Sequence, residues 1–268
     1  MKGHTKRVLR VVGIVVLVCV VCCVGAWGYL CTSNLRNAKT VGDIPAPMGY
    51  TRVFENTSIE KDTRGGGSYT EFLRGLKLKR RGTKVRLFNG RRAHYQFLSA
   101  AVIDMPLLSN SEQCAEMTMR LRAEYLFSKG RYSEIRFRDV NGNVLQYHGG
   151  GSRKSLEKFL RNAYGVCSTY SVHKETKPRK ISEVQPGDVL VYPARKGHKY
   201  GHALIVVDVA RRGDKVAVMC AEGNTPARDA HIVRNYNPFR NPWTIFDSDD
   251  EVLWVGVFHF NKNELRHY

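Results

Sequence analysis

The sequence predicts an α+β domain, with helices packed on an antiparallel sheet, preceded by one hydrophobic N-terminal helix. Three observations carry this. An uncharged run extends from Val11 to Cys31. Helical apolar spacing then dominates the first part of the chain, as in Cys114, Met117, Leu121 and Tyr125. Apolar strands separated by turn residues dominate the end, and segregated helices and strands read as α+β rather than alternating α/β.

The leader comes first. Lys2, Lys6, Arg7 and Arg10 precede an uncharged run long enough to span a bilayer as a helix. Basic residues ahead of such a run keep the N-terminus cytoplasmic. Residues 1–31 therefore read as a membrane anchor or as a cleaved signal peptide, with Val24-Gly25-Ala26 a possible cleavage site. Either reading puts the remainder in the cell envelope, facing the periplasm or secreted. Residues 32–48 read as a linker ending in Pro45 and Pro47, and residues 49–268 as a single domain.

Within the domain, Tyr50 to Phe54 is strand-like. Ser68 with Glu71 three residues later is a capping box for a helix that closes near Gly75. Val85 to Phe88 leads into Asn89-Gly90, and Ile135 to Val140 into Asn141-Gly142-Asn143, both hairpin signals. Ala100 to Asp104 is a strand between them. The clearest helix starts near Ser111 and ends before Gly130; a second covers Ser155 to Tyr164 with Leu156, Phe159, Leu160 and Ala163 on one face. Strands follow at 188–192, 202–210, 215–221, 230–234 and 252–260.

Charge narrows the partners. With 43 basic and 24 acidic residues the net charge is +19, and one dense spot is Lys77-Leu78-Lys79-Arg80-Arg81. A basic surface attracts polyanions such as anionic lipid or acidic cell-wall polymers. No zinc-finger spacing or aromatic RNA-binding run is present, so nucleic acid is not an expected partner. The histidines show neither His-x-x-x-His nor Cys-x-x-Cys pairing, and no phosphate-binding loop occurs, so no metal or cofactor is expected. Outside the leader only Cys114, Cys167 and Cys220 remain. An odd count leaves at least one thiol free.

Chemistry points to Cys114 and His202. Gln185-Pro186-Gly187-Asp188 is a turn that launches one strand, and Gly201-His202 opens the next. A histidine at the mouth of a buried strand is held rigidly, as a base must be for a cysteine nucleophile. Cys114 starts a helix, where free backbone N–H groups favour an anion. The Gln113 amide or the Cys114 backbone N–H could then hold an oxyanion. Cys167 is the rival nucleophile, though it follows a helix rather than starting one. Cys114 equally suits an apolar core face beside Met117 and Leu121.

Gln113-Cys114-Ala115 leading into Arg120 to Leu126, together with Gln185 to Val189 and Gly201 to Ala210, resembles the uncharacterised bacterial family known as domain of unknown function 4846. Gly42-Asp43-Ile44-Pro45-Ala46-Pro47-Met48-Gly49-Tyr50 resembles that family's opening. This resemblance implies an envelope protein of no established activity. Pro186-Gly187-Asp188 followed by a strand-opening histidine is also similar to NlpC-type cell-wall endopeptidases, although no Asp-Cys-Ser-Gly surrounds Cys114. That similarity implies a papain-like fold in which Cys114 attacks, His202 acts as base, and Glu222 or Asn224 orients it. The implied activity is thiol hydrolysis of an amide in peptidoglycan. The contrasting expectation is a non-catalytic papain-like domain that binds cell-wall or other anionic polymer.

Overall fold

The computed structural model describes residues 12–26, 35–53, 67–195, 200–237, 239 and 241–268. Strands that must be buried on both faces read as continuous apolar runs, and here they build one nine-stranded antiparallel sheet. Its main path is β2 (Ser99–Val102), β9 (His231–Val233), β8 (Lys215–Glu222), β7 (His202–Arg212), β6 (Val189–Tyr192), β13 (Leu265–His267) and β5 (Lys177–Pro178). Two further strands pair with the far ends of the long central pair: β1 (Thr51–Arg52) with β7, and β10 (Thr244–Asp247) with β8.

Strand alternation divides the core into two layers. Val191, Ala203, Ile205, Met219, Ala221 and Ile232 face the helices. Leu190, Leu204, Val206, Val218, Cys220 and Val233 face a hairpin of β11 (Val252–Val255) and β12 (Phe258–Asn261). The expected single strand over 252–260 is thus two strands, because Gly256 turns the chain with φ +60°.

Among the described residues four α-helices follow the leader: α1 (Tyr69–Arg74), α2 (Cys114–Ser128), α3 (Arg153–Tyr164) and α4 (Thr169–Glu175). The Ser68 hydroxyl accepts from the Glu71 N–H, and the Glu71 carboxylate accepts from the Ser68 N–H at 2.8 Å, so both ends of the capping box are made. The Arg136–Arg138 and Val144–Gln146 strands (β3 and β4) form the expected hairpin. Around Asn89-Gly90 the chain makes only a turn with isolated bridges. α2 differs from its expected amphipathic form. It is buried on nearly every side, and Arg120 on its supposed outer face is enclosed and paired with Glu112 at 2.8 Å. The sheet covers one side of it and α1 and α4 pack against others, so a charge had to be buried with its partner.

The expected linker, where described, is packed rather than free. Val41 and Ile44 are fully buried, and Pro45 accepts a hydrogen bond from the indole of the enclosed Trp243 at 2.8 Å. Asp208 locks this segment to the sheet. Its buried carboxylate receives Arg52 at 2.8 Å and Arg74 at 2.7 Å, and Arg52 also donates to the Gly42 carbonyl. Removing one side of a buried ion network leaves charges unpaired, at a cost of about 3–5 kcal/mol. Asp208→Ala is expected to lose stability on that scale, read as a lower urea midpoint.

The leader run is described only in part. Residues 12–26 are helical and exposed, with Cys19, Cys22 and Cys23 unpaired. Among the described residues no helix is long and apolar enough to cross a membrane.

Candidate functional site

Cys114 and His202 are each the first residue of their element, α2 and β7. Both lie at one end of the sheet. Alternation sends the His202 ring to the hairpin side with Leu204, and there it stacks on Phe258 with centroids 4.1 Å apart. Cys114 belongs to the helix layer on the other side. The two approach one another past the sheet end, where the Cys114 sulfur is near enough to act on the charge of the ring. The opposing Tyr192, register partner of His202, is close enough for its phenol to feel the same sulfur.

The sequence brings them together through close approaches at three glycines. Gly187 adopts φ +97° against the Tyr69 ring, and the Asp188 carboxylate accepts the Gln185 N–H at 2.9 Å, which fixes the Gln-Pro-Gly-Asp turn before β6. A Cβ at Gly201 would lie 2.2 Å from the Thr169 hydroxyl and 2.5 Å from the Tyr192 carbonyl. At Gly223, just past β8, a Cβ would lie 2.8 Å from the Gln113 carbonyl. The absent side chains let α2 close on the strand ends. Gly201→Ala therefore forces backbone apart beside His202, at an expected cost of about 1–3 kcal/mol, measurable as a lower thermal midpoint.

Glu222, the last residue of β8, is fully buried. His202 Nε2 lies 2.9 Å from Oε2, and His231 Nε2 lies 3.1 Å from Oε1. Asn224 donates to Oε2 at 3.2 Å. His231 Nδ1 is 2.9 Å from the Asp229 carbonyl, which can only accept, so Nδ1 carries a proton and orients the ring. Thr225 ties this loop back to the helix start through a 2.6 Å bond to the Gln113 amide oxygen. That bond leaves the amide nitrogen of Gln113 as a donor.

Electrostatics follow from the packing. Burial alone works against a charged His202, but the adjoining Cys114 sulfur and Glu222 carboxylate outweigh it and push the imidazole up to about 10. Burial likewise works against the Glu222 carboxylate, yet the imidazoles of His202 and His231 lying against it hold it down to about 2. His202 thus favours its charged form beside the ionised Glu222, with the Cys114 sulfur alongside.

The sequence-predicted residues Cys114, His202, Glu222 and Asn224 thus converge. Cys167 does not join them. Its thiol donates to the Arg138 carbonyl at 3.4 Å, and burial pushes it up to about 12. Cys220 lies within β8, where complete burial raises it further. His231 escaped sequence reasoning. It opens an apolar strand as His202 does, and two histidines at the mouths of the strands on either side of β8 were the available signal. Among the described residues no group of His, Cys, Asp and Glu could hold a metal ion. Cys114 and His202 are each 6% exposed.

Comparison with known proteins is sparse. No solved structure matches the chain significantly. A mycothiol acetyltransferase of Streptomyces griseus subsp. griseus is 30% identical over 91 residues, 34% of this chain and 29% of that protein. The chain therefore spans less than a third of the length of this curated relative. The family described as "Domain of unknown function (4846)" matches residues 43–151 and 148–267. The sequence motifs around Cys114, Gly187 and His202 lie within those spans, and the chain belongs to that family.

Proposed function

We propose that this protein is a thiol hydrolase of papain-like design, cleaving an amide through Cys114, His202 and Glu222. One observation carries the reading: a thiol at a helix start ends a buried histidine–carboxylate–histidine train. A core cysteine needs only apolar neighbours. Burying two imidazoles and a carboxylate beside it costs stability unless the arrangement is used, and perturbed ionisable groups cluster at functional sites.

The chemistry then runs on this chain's own groups. The Cys114 sulfur attacks the carbonyl carbon while its proton passes to, or already rests on, His202. The oxyanion is met by the Cys114 backbone N–H and the Gln113 amide nitrogen. His202 returns the proton to the departing amine, leaving a thioester. Water, deprotonated by His202, attacks that thioester, releases the carboxylic acid and restores the thiol. Glu222 holds the imidazolium in orientation throughout, and Asn224 and His231 hold Glu222.

The proposal extends to address and substrate. An uncharged leader behind four basic residues suits a bilayer anchor that leaves the domain outside the cytoplasm, where peptidoglycan stem peptides offer exposed amides. The test is digestion of purified peptidoglycan by the full chain. New amino groups that appear with the native chain and not with His202→Ala are expected. Sacculi left intact, with short stem peptides also uncut, would remove peptidoglycan as the substrate.

A further inference from the structure

A dense charge concentration lies outside the residues of the candidate site. Eight of the sixteen residues from Lys77 to Arg92 are lysine or arginine, and no acidic residue occurs between Glu71 and Asp104. The Asn89-Gly90 turn projects from this stretch, and Phe88, Tyr95 and Phe97 are 49%, 59% and 54% exposed around it. Exposed aromatic rings among clustered cations are costly in water but suit the interface of a bilayer, where rings sit at headgroup depth and cations meet phosphate.

The location of this face follows from the backbone. The Leu78 N–H donates to the Lys39 carbonyl at 2.7 Å, Thr40 bridges Lys77, and the Val41 N–H donates to the Leu76 carbonyl. The basic run is therefore stitched to the chain that continues from the hydrophobic leader. Beside these contacts lies a cavity of about 260 Å³. Leu35, Ala38 and Leu78 contribute its apolar lining, and Lys79, Arg80 and Lys84 are among its cations, with no carboxylate in the wall. Lys79 pairs with Asp229 at 3.2 Å. Arg80 and Lys84 are exposed and make no ion pair among the described residues.

We infer that residues 77–97 dock on an anionic phospholipid surface, with a headgroup phosphate seated in this cavity. The inference rests on the membrane-seated reading of the leader for its placement, but the charge and aromatic pattern stand independently of the thiol chemistry. Docking would hold the domain against the bilayer rather than let it swing on its tether.

The test uses the full chain mixed with nanodiscs of phosphatidylglycerol or of phosphatidylcholine. Amine labelling is read at Lys84, with exposed Lys154 on α3 as reference. About threefold slower labelling of Lys84 in phosphatidylglycerol only, reversed by high salt, is expected from an interfacial electrostatic contact. Arg80→Glu with Arg92→Glu, both on the exposed surface, should abolish that protection. Equal labelling in both lipids, or protection that survives the double substitution, overturns the inference. Association with phosphatidylglycerol discs alone, released by salt, supports the docking face and refutes the anchor. Displacement from those discs by a short oligonucleotide would reassign the face to nucleic acid.

Discussion

Cys114→Ala is expected to lower amide hydrolysis by at least about a thousandfold, because a nucleophile removed from a catalytic unit takes most of that unit's acceleration with it. The fold should hardly notice. Cys114 keeps company with Met117 and the strand ends, and one lost sulfur leaves a small void, worth about 1 kcal/mol or less. Cys114→Ser should be as inactive as the alanine variant despite near-identical volume, since the reaction needs a sulfur nucleophile. The double variant Cys114→Ala with His202→Ala should be no slower than either single one, as members of one unit are non-additive. Turnover of a fluorogenic peptide amide measures all three. Hydrolysis at the native rate in Cys114→Ala would falsify the assignment.

The second large effect belongs to Glu222. Glu222→Ala strips the carboxylate from between two enclosed imidazoles, and breaking such a buried network costs about 3–5 kcal/mol. Glu222→Gln keeps the shape and should cost less stability, but its amide cannot balance an imidazolium, so activity should fall while the fold survives. The same group sets a pH dependence. Glu222 sits near 2 when folded, below its ordinary 4.5, so its contribution is complete above about 4.5 and fades as acid approaches 2. His202 sits near 10 when folded, above its ordinary 6.5, so its contribution is complete below about 6.5 and fades as the solution rises toward 10. Between those ordinary values both contributions are whole. Urea midpoints measured across pH should peak there in the native chain and flatten on both flanks in Glu222→Gln. A native profile already flat on both sides would show that the carboxylate and imidazole are not coupled.

Local signals were legible where one residue type has one physical use. Ser68 with Glu71 located a helix start, and Asn141-Gly142 located a hairpin. The glycine before His202 marked a close approach, which the carbonyl of Tyr192 and the hydroxyl of Thr169 supply. Convergence of Cys114 with His202 and Glu222 was legible too, since each stands at the end of its element. What escaped were features set by distant packing. Arg120 and Glu112 are buried together, although charge patterning alone assigns Arg120 to an outer face. α4 is only seven residues long, too short for apolar periodicity to show, and its Ser168 cap is a local signal shared with many turns. Gly256 divides a run whose hydrophobicity is otherwise continuous. The Asp208 network joins residues more than a hundred positions apart, and no local pattern announces it.

The most direct measurement follows alkylation of Cys114 itself. The native chain is treated briefly with iodoacetamide at neutral pH, and the Cys114 peptide is followed by mass spectrometry with buried Cys220 as the internal comparison. An assembled thiol–imidazole pair predicts rapid modification of Cys114 without denaturant, slowed at least about tenfold in His202→Ala, while Cys220 stays unmodified. Modification of Cys114 only after unfolding, at the same pace as Cys220 and indifferent to His202, would contradict a nucleophilic role for this sulfur.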